Sequence, residues 1–303
     1  MGILARNDER IALPAHVVAG RSSACALRIG EPQVSAEHAS LSHRDGRWVA
    51  RDLGSRNGTF VNGERLDPGG ARALAAGDRI SFGEPSGGFT LVDASPPVAM
   101  ARRLPGNELI AADGEILALP SQVCPLACVF RGEDGRFTLE VDGLSREVKD
   151  GDVVHAAGEA FVLHLPGDVL ATAQAQERRP GVDEVEFRLR VSRNEETVEV
   201  SVAGPLLGEG ARSLPPRTHH YTWLVLARAR VRDEGAPGLA STQRGWVFVD
   251  DICRMLSIDE NRLNVDIYRI RRDAESIGLA NAPSLLSGVG GAGSSAWGRR
   301  GSW

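Results

Sequence analysis

The chain has almost no lysine: of its 35 basic residues only Lys149 is one, and the rest are arginine. That skew reads as a GC-rich coding bias before it reads as function. Set against 40 acids, the bases leave a net charge of −5, so there is no positive surplus to coat nucleic acid or an anionic membrane. Contact with DNA would need a local patch. No apolar run approaches the length that spans a bilayer. The opening Met1-Gly2-Ile3-Leu4-Ala5-Arg6 is too short and too soon charged for a signal peptide, and it lacks the Ser or Thr of a myristoylation signal. The cysteines at 25, 124, 128 and 253 are scattered, and Cys124-x-x-x-Cys128 has no second pair to complete a metal site. Free thiols in a reducing cytoplasm are expected. Nucleophile–base pairs, metal clusters and nucleotide loops are also missing, so neither an enzyme nor a cofactor is expected. What remains is 303 residues, 42% apolar and 25% charged, enough for two or three soluble globular domains.

From Ile11 to about Val92 short alternating segments such as Arg47–Arg51 and Phe89–Val92 are separated by Gly, Pro, Asn and Asp turns, as in a β-sandwich. Ser95-Pro96-Pro97 marks a boundary. The next stretch reads as a worn copy. Ile11-Ala12-Leu13-Pro14 recurs as Leu117-Ala118-Leu119-Pro120, Arg47-Trp48 as Arg136-Phe137, and Gly77-Asp78-Arg79-Ile80 as Gly151-Asp152-Val153-Val154. The intervals between these marks are half as long in the second copy. Strand cores persist there while the loops, where function usually sits, have been cut. Residues 171–184 read as a polar linker. After it, alternation from Val185 to Val202 around a turn at Arg193–Glu196 predicts a hairpin, and helices are expected over roughly 217–232, 250–257 and 260–277. Asp259 would cap the last helix and Gly278 would stop it.

The densest cluster of unusual residues runs from 20 to 63: Gly20-Arg21-Ser22, Ser35-Ala36-Glu37-His38, Gly54-Ser55-Arg56-Asn57-Gly58-Thr59 and Asn62-Gly63. Arginine offers a planar fork of donors to phosphate, serine adds a hydroxyl, and glycine lets backbone N–H groups approach an anion. With no general base among them, such a site binds an anion without turning it over.

On these motifs Val18–Phe82 resembles a forkhead-associated (FHA) domain, with G-R, S-x-x-H, S-x-N-G and N-G in order; Leu74, Gly77-Asp78 and Phe82-Gly83 continue the pattern. The resemblance implies an eleven-strand β-sandwich whose apical loops bind phosphothreonine peptides. It places Arg21, Ser35 and Arg56 on the phosphate and Asn57 on the peptide backbone. His38 would brace the loops, Asn62 would order the binding edge, and Gly20, Gly58 and Gly63 would shape turns. Ala36 stands where many members carry a polar or basic side chain, which would weaken phosphate affinity. The second copy has none of these motifs and is expected to serve as a spacer or packing partner.

The hairpin and three helices resemble the OmpR-type winged helix, on Val249-Asp250-Asp251-Ile252 and on Arg262-Leu263-Asn264-Val265-Asp266-Ile267-Tyr268-Arg269-Ile270-Arg271-Arg272. The resemblance implies DNA contact through Arg262, Tyr268, Arg269, Arg271 and Arg272. Yet residues 211–282 hold 11 arginines and 9 acids, and Arg269–Asp273 and Arg271–Glu275 are spaced as ordinary helix ion pairs. His219-His220 reads as a helix start without partner ligands. The basic β-hairpin that closes such a domain is not expected in residues 283–303, a Gly/Ser-rich tail that is either disordered or a shifted reading frame.

The expected architecture is multidomain and mainly β: an FHA sandwich over 1–95, a degenerate FHA-like domain over 96–170, and an α+β winged helix over 185–282. The expected function is that of a cytoplasmic phosphothreonine-binding regulator. Its partners would be a Ser/Thr kinase or its substrate, and double-stranded DNA. The alternative is an adaptor whose C-terminal domain binds protein.

Overall fold

The structure, a computed structural model, describes residues 1–7, 9–106, 108–132, 134–167, 179–194, 196–204, 206–207, 210–234, 238, 244–291 and 294–298. The expected linker residues 171–178 lie outside these. The chain divides into two compact units, 1–111 with 150–153 and 161–172, and 112–149 with 154–160 and 173–303.

The first unit contains a β-sandwich built from β1 Ile3–Arg6, β2 Glu9–Ala12, β3 His16–Gly20, β4 Leu27–Arg28, β5 Ala39–Arg44, β6 Arg47–Asp52, β7 Thr59–Val61, β8 Glu64–Arg65, β9 Ala71–Leu74, β10 Arg79–Phe82 and β11 Phe89–Asp93. One sheet has the order β2-β1-β11-β10-β7-β8 and the other β4-β3-β5-β6-β9. Alternation decides which side chains go inward. In β6 Trp48, Ala50 and Asp52 are buried while Arg47 and Arg51 are exposed. Trp48 joins Leu4, Leu41, Ile80 and Leu91, all fully buried, in one core. Asp45 and Gly46 connect β5 to β6 with φ of 49° and 75°, the left-handed pair that matches a two-residue turn to strand twist.

The strands that follow are β12 Met100–Leu104, β13 Leu109–Ala111, β14 Ile116–Pro120, β15 Pro125–Arg131, β16 Phe137–Val141, β17 Leu144–Val148, β18 Val153–Ala156 and β19 Glu159–His164. Their sheets run β13-β12-β19-β18 and β14-β15-β16-β17. These orders repeat β2-β1-β11-β10 and β3-β5-β6-β9 strand for strand, with no counterpart of β4, β7 or β8 among the described residues. The backbone bonds repeat as well. Gly77 N–H donates to the Leu91 carbonyl at 2.7 Å and Leu91 N–H to that of Asp78 at 2.8 Å; Gly151 to Leu163 and Leu163 to Asp152 do the same at 2.9 Å.

The second unit continues with β20 Glu186–Val191, β21 Val198–Ala203 and β22 Arg212–Leu214, then α1 His220–Glu234, β23 Val247–Phe248, α2 Val249–Leu256, α3 Glu260–Ser276, β24 Ser287–Gly291 and β25 Ser294–Gly298. The Asp259 carboxylate caps α3 by accepting from Arg262 N–H at 2.7 Å, and Gly278 follows the helix with φ 89°. Leu263, Ile267 and Ile270 turn inward toward Trp223 of α1 and Val200 of β21 in one core. No helix among the described residues is long and apolar enough to cross a membrane.

The tail corrects an expectation. Its Gly/Ser/Ala composition has poor strand propensity, yet β24 and β25 form a hairpin whose second strand pairs with β23, Val247 opposite Trp297 and Phe248 opposite Ala296. Burial of Trp297 to 3% exposure and the sheet edge offered by β23 outweigh composition. The hairpin carries no basic residue from 287 to 298, and Arg299 and Arg300 lie outside the described residues.

Candidate functional site

Three loops of the first sandwich meet at one end: the one after β3, the one before β5 and the one between β6 and β7. Arg21 N–H donates to the Ser35 carbonyl at 2.9 Å, and the Arg21 Nε–H reaches the Val34 carbonyl at 3.3 Å. Arg56 N–H donates to the Ser35 hydroxyl at 3.1 Å, which brings Arg21, Ser35 and Arg56 together. Both arginines are exposed and Ser35 is half-buried. Asn57 Nδ2 donates to the Gln33 carbonyl at 2.8 Å.

Under these loops lies His38, 0% exposed. Its Nδ1 accepts from Ser35 N–H at 3.0 Å, so the proton sits on Nε2, which donates to the Gly58 carbonyl at 3.0 Å. Burial pushes its pKa down, more than the Gly58 bond raises it, and the ring stays neutral. One neutral ring thus fixes two loops.

Two glycines resist replacement, Gly58 by its backbone angle and Gly20 by a close backbone contact. A Cβ on Gly58, at φ 89°, would lie 2.2 Å from Arg65 Nε, and one on Gly20 would lie 2.2 Å from the Ala36 carbonyl oxygen. Gly63 follows Asn62 in the β7–β8 turn, with φ of 83° and 53°. The Asn62 amide donates to Asp78 at 2.8 Å and its oxygen accepts from Arg79 N–H at 2.8 Å.

Asp52 is a residue that sequence reasoning missed. Only 2% exposed, it accepts from Gly54 N–H, Ser55 N–H, the Ser55 hydroxyl and the Thr59 hydroxyl at 2.6–3.0 Å. Burial alone would raise its pKa; these donors outweigh it and hold the carboxyl down. An acid two residues before Gly-Ser is the signature of an Asx turn, and that signal was available. Gln33 acts through its backbone and carried none.

The surface left by these contacts offers two exposed arginine side chains and a half-buried serine hydroxyl, with the Asp52 carboxylate buried and satisfied. That arrangement suits a phosphate-sized dianion.

The helix-three residues are placed differently. Arg271 is 1% exposed and holds Glu140 of β16 bidentately, at 2.8 and 3.1 Å, while also donating to the Leu286 carbonyl at 2.6 Å. Its guanidinium lies over the Phe130 and Trp297 rings. Arg272 pairs with Asp113 and Glu275, and Arg262 with Asp266 at 3.0 Å. Tyr268 is 6% exposed and packs on Ile116, Ala118, Cys128 and Phe130. Of the five residues expected on DNA, Arg269 is exposed and Arg262 partly so. The expected pairs Arg269–Asp273 and Arg271–Glu275 are therefore corrected. Strand β16 supplies a better-buried carboxylate to Arg271, and Asp273 is taken by His219 and His220, which do have a partner.

Residues 17–83 match the FHA domain family. A segment of 58 residues is 40% identical to an FHA domain-containing protein of Arabidopsis thaliana, covering 19% of this chain and 15% of that protein. The oxoglutarate dehydrogenase inhibitor of Corynebacterium diphtheriae is 35% identical over 81 residues, 27% of this chain and 52% of that one. The chain thus spans about half or less of the curated relatives it matches. Among solved structures, Mycobacterium tuberculosis Rv1747 FHA-1 is 28% identical, covers 30% of this chain and 96% of that chain, and has a TM-score of 0.27. Mycobacterium tuberculosis EmbR in complex with a low affinity phosphopeptide is 26% identical over 31% of this chain and 25% of that one, with a TM-score of 0.29. The chain carries an FHA domain at residues 17–83.

Proposed function

We propose that the chain is a cytoplasmic, non-enzymatic phosphothreonine-reading adaptor, linked to a Ser/Thr kinase through the loops of its FHA domain. The observation that carries the reading is the meeting of Arg21, Ser35 and Arg56 at one exposed sandwich end, locked by the Arg56 N–H to Ser35 hydroxyl bond. Phosphothreonine brings about −1.5 to −2 charge and acceptor oxygens that fit this donor set. Residues 96–170 act as a degenerate second copy: the strand order repeats while, among the described residues, β4, β7 and β8 have no counterpart. The test is calorimetric titration of the full chain with matched phosphothreonine, phosphoserine and unmodified peptides from a degenerate library. Binding confined to the phosphothreonine set supports the reading; equal binding of the unmodified set ends it.

The resemblance of residues 185–282 to a winged helix makes a DNA-binding regulator the second reading. The burial of Tyr268 and Arg271 and the pairing of Arg262 and Arg272 within the chain count against DNA contact by α3. Titration of the full chain with random duplex DNA across a salt series separates the two. A regulator gives affinity that falls steeply with salt as phosphates are neutralised, and an adaptor gives none.

A further inference from the structure

His219 and His220 stand at the start of α1, and Asp273 lies in the last turn of α3. The fold brings these separate chain positions to one point. His219 Nε2 lies 2.6 Å and His220 Nε2 3.0 Å from the same oxygen, Asp273 Oδ2. The histidines are 5% and 0% exposed.

The second nitrogen of His220 determines what this cluster can be. Its Nδ1 lies 3.2 Å from the Val198 carbonyl oxygen. A carbonyl only accepts, so Nδ1 carries the proton, and in the neutral ring Nε2 then presents a lone pair to a carboxylate oxygen. Both histidine nitrogens thus converge on one carboxylate oxygen, and a single cation shared among the three atoms would satisfy them all. A metal ion uses all three donors with both rings neutral. An imidazole whose far nitrogen donates to a backbone carbonyl is also the arrangement that fixes tautomer and orientation in metal sites.

We propose that His219 Nε2, His220 Nε2 and Asp273 Oδ2 form a binding site for one divalent transition-metal ion of the zinc class. Two imidazoles and a carboxylate are borderline ligands that suit zinc over calcium or magnesium. The ligand atoms lie within 4.8 Å of one another. Bonds of about 2.0–2.1 Å at tetrahedral angles space donors roughly 3.3 Å apart, so the nitrogen–oxygen distances of 2.6 and 3.0 Å would widen to admit the ion. Asp273, 25% exposed at its side chain, leaves the fourth position to water. The ion would pin the start of α1 to the end of α3, joining two helices of the second core.

Cobalt(II) titration of the chelator-treated full chain tests this. One cobalt per chain is expected, with tetrahedral visible bands and without the near-ultraviolet thiolate charge transfer that the free cysteines would produce. Zinc should displace it. Asp273→Asn and His219→Gln should each lower the affinity at least tenfold. As a second readout, zinc should raise the wild-type unfolding midpoint in proportion to the logarithm of its concentration, and chelator should reverse the rise. Absence of both the cobalt bands and the zinc-dependent midpoint in the folded wild type overturns the proposal. So does binding that both folded variants retain in full.

Discussion

Removing the Glu140 carboxylate should destabilise the second unit severely. Arg271 is 1% exposed, and burial would lower its pKa were it not for Glu140, which outweighs that effect and keeps the guanidinium protonated. In Glu140→Ala the charge stays buried with only the Leu286 carbonyl and two aromatic faces for company. Breaking a buried pair by deleting one partner costs about 3–5 kcal/mol. For a unit of this size each kcal/mol moves the midpoint by about 2–4 °C, so a drop of about 6–20 °C is expected. The double variant Glu140→Leu with Arg271→Met removes both charges and leaves one carbonyl without its donor, about 1–3 kcal/mol. It should therefore be more stable than the single variant. Scanning calorimetry of the full chain reads both. A single variant that melts within about 3 °C of wild type, or below which the double variant falls, refutes the argument that this pair holds α3 against β16.

In the FHA domain, Arg21→Ala and Ser35→Ala each delete a donor to a charged ligand, worth about 1.5–3 kcal/mol, and should weaken phosphothreonine peptide binding roughly 10- to 150-fold by titration. Gly58→Ala places a Cβ at φ 89° against Arg65 and should cost at least about 1–2 kcal/mol of stability, seen as a lowered urea midpoint. His38 has a folded-state pKa below its ordinary 6.5, so its contribution to stability is complete above pH 6.5 and is lost as pH falls toward the folded value. Chemical denaturation across that range should show the loss, and His38→Gln should flatten part of it. His43 and His164, also pushed down by burial, supply the rest. A wild-type profile that is level below pH 6.5 would contradict the Nδ1-acceptor assignment.

Much of this protein was determined by sequence alone, because the deciding constraints were local. Trp48 and Ala50 alternate with charged neighbours, so β6 could face only one way. Asp259 and Gly278 bounded α3 through cap geometry that needs no tertiary partner. The loop residues from Gly20 to Gly63 were legible because each answers to a donor group or a backbone angle that few residue types supply. What tertiary structure decided was which charges remain free. At the level of sequence Arg271 and Glu275 are neighbours on one helix turn; in the fold a carboxylate 131 positions away takes Arg271 bidentately, while Glu275 is held by Arg272. The same holds for His219 and His220, whose partner lies across the core on α3. The tail reversed its composition for the reason that governs strands generally. Propensity is weak, and pairing with β23 together with the burial of Trp297 supplied what glycine and serine lack.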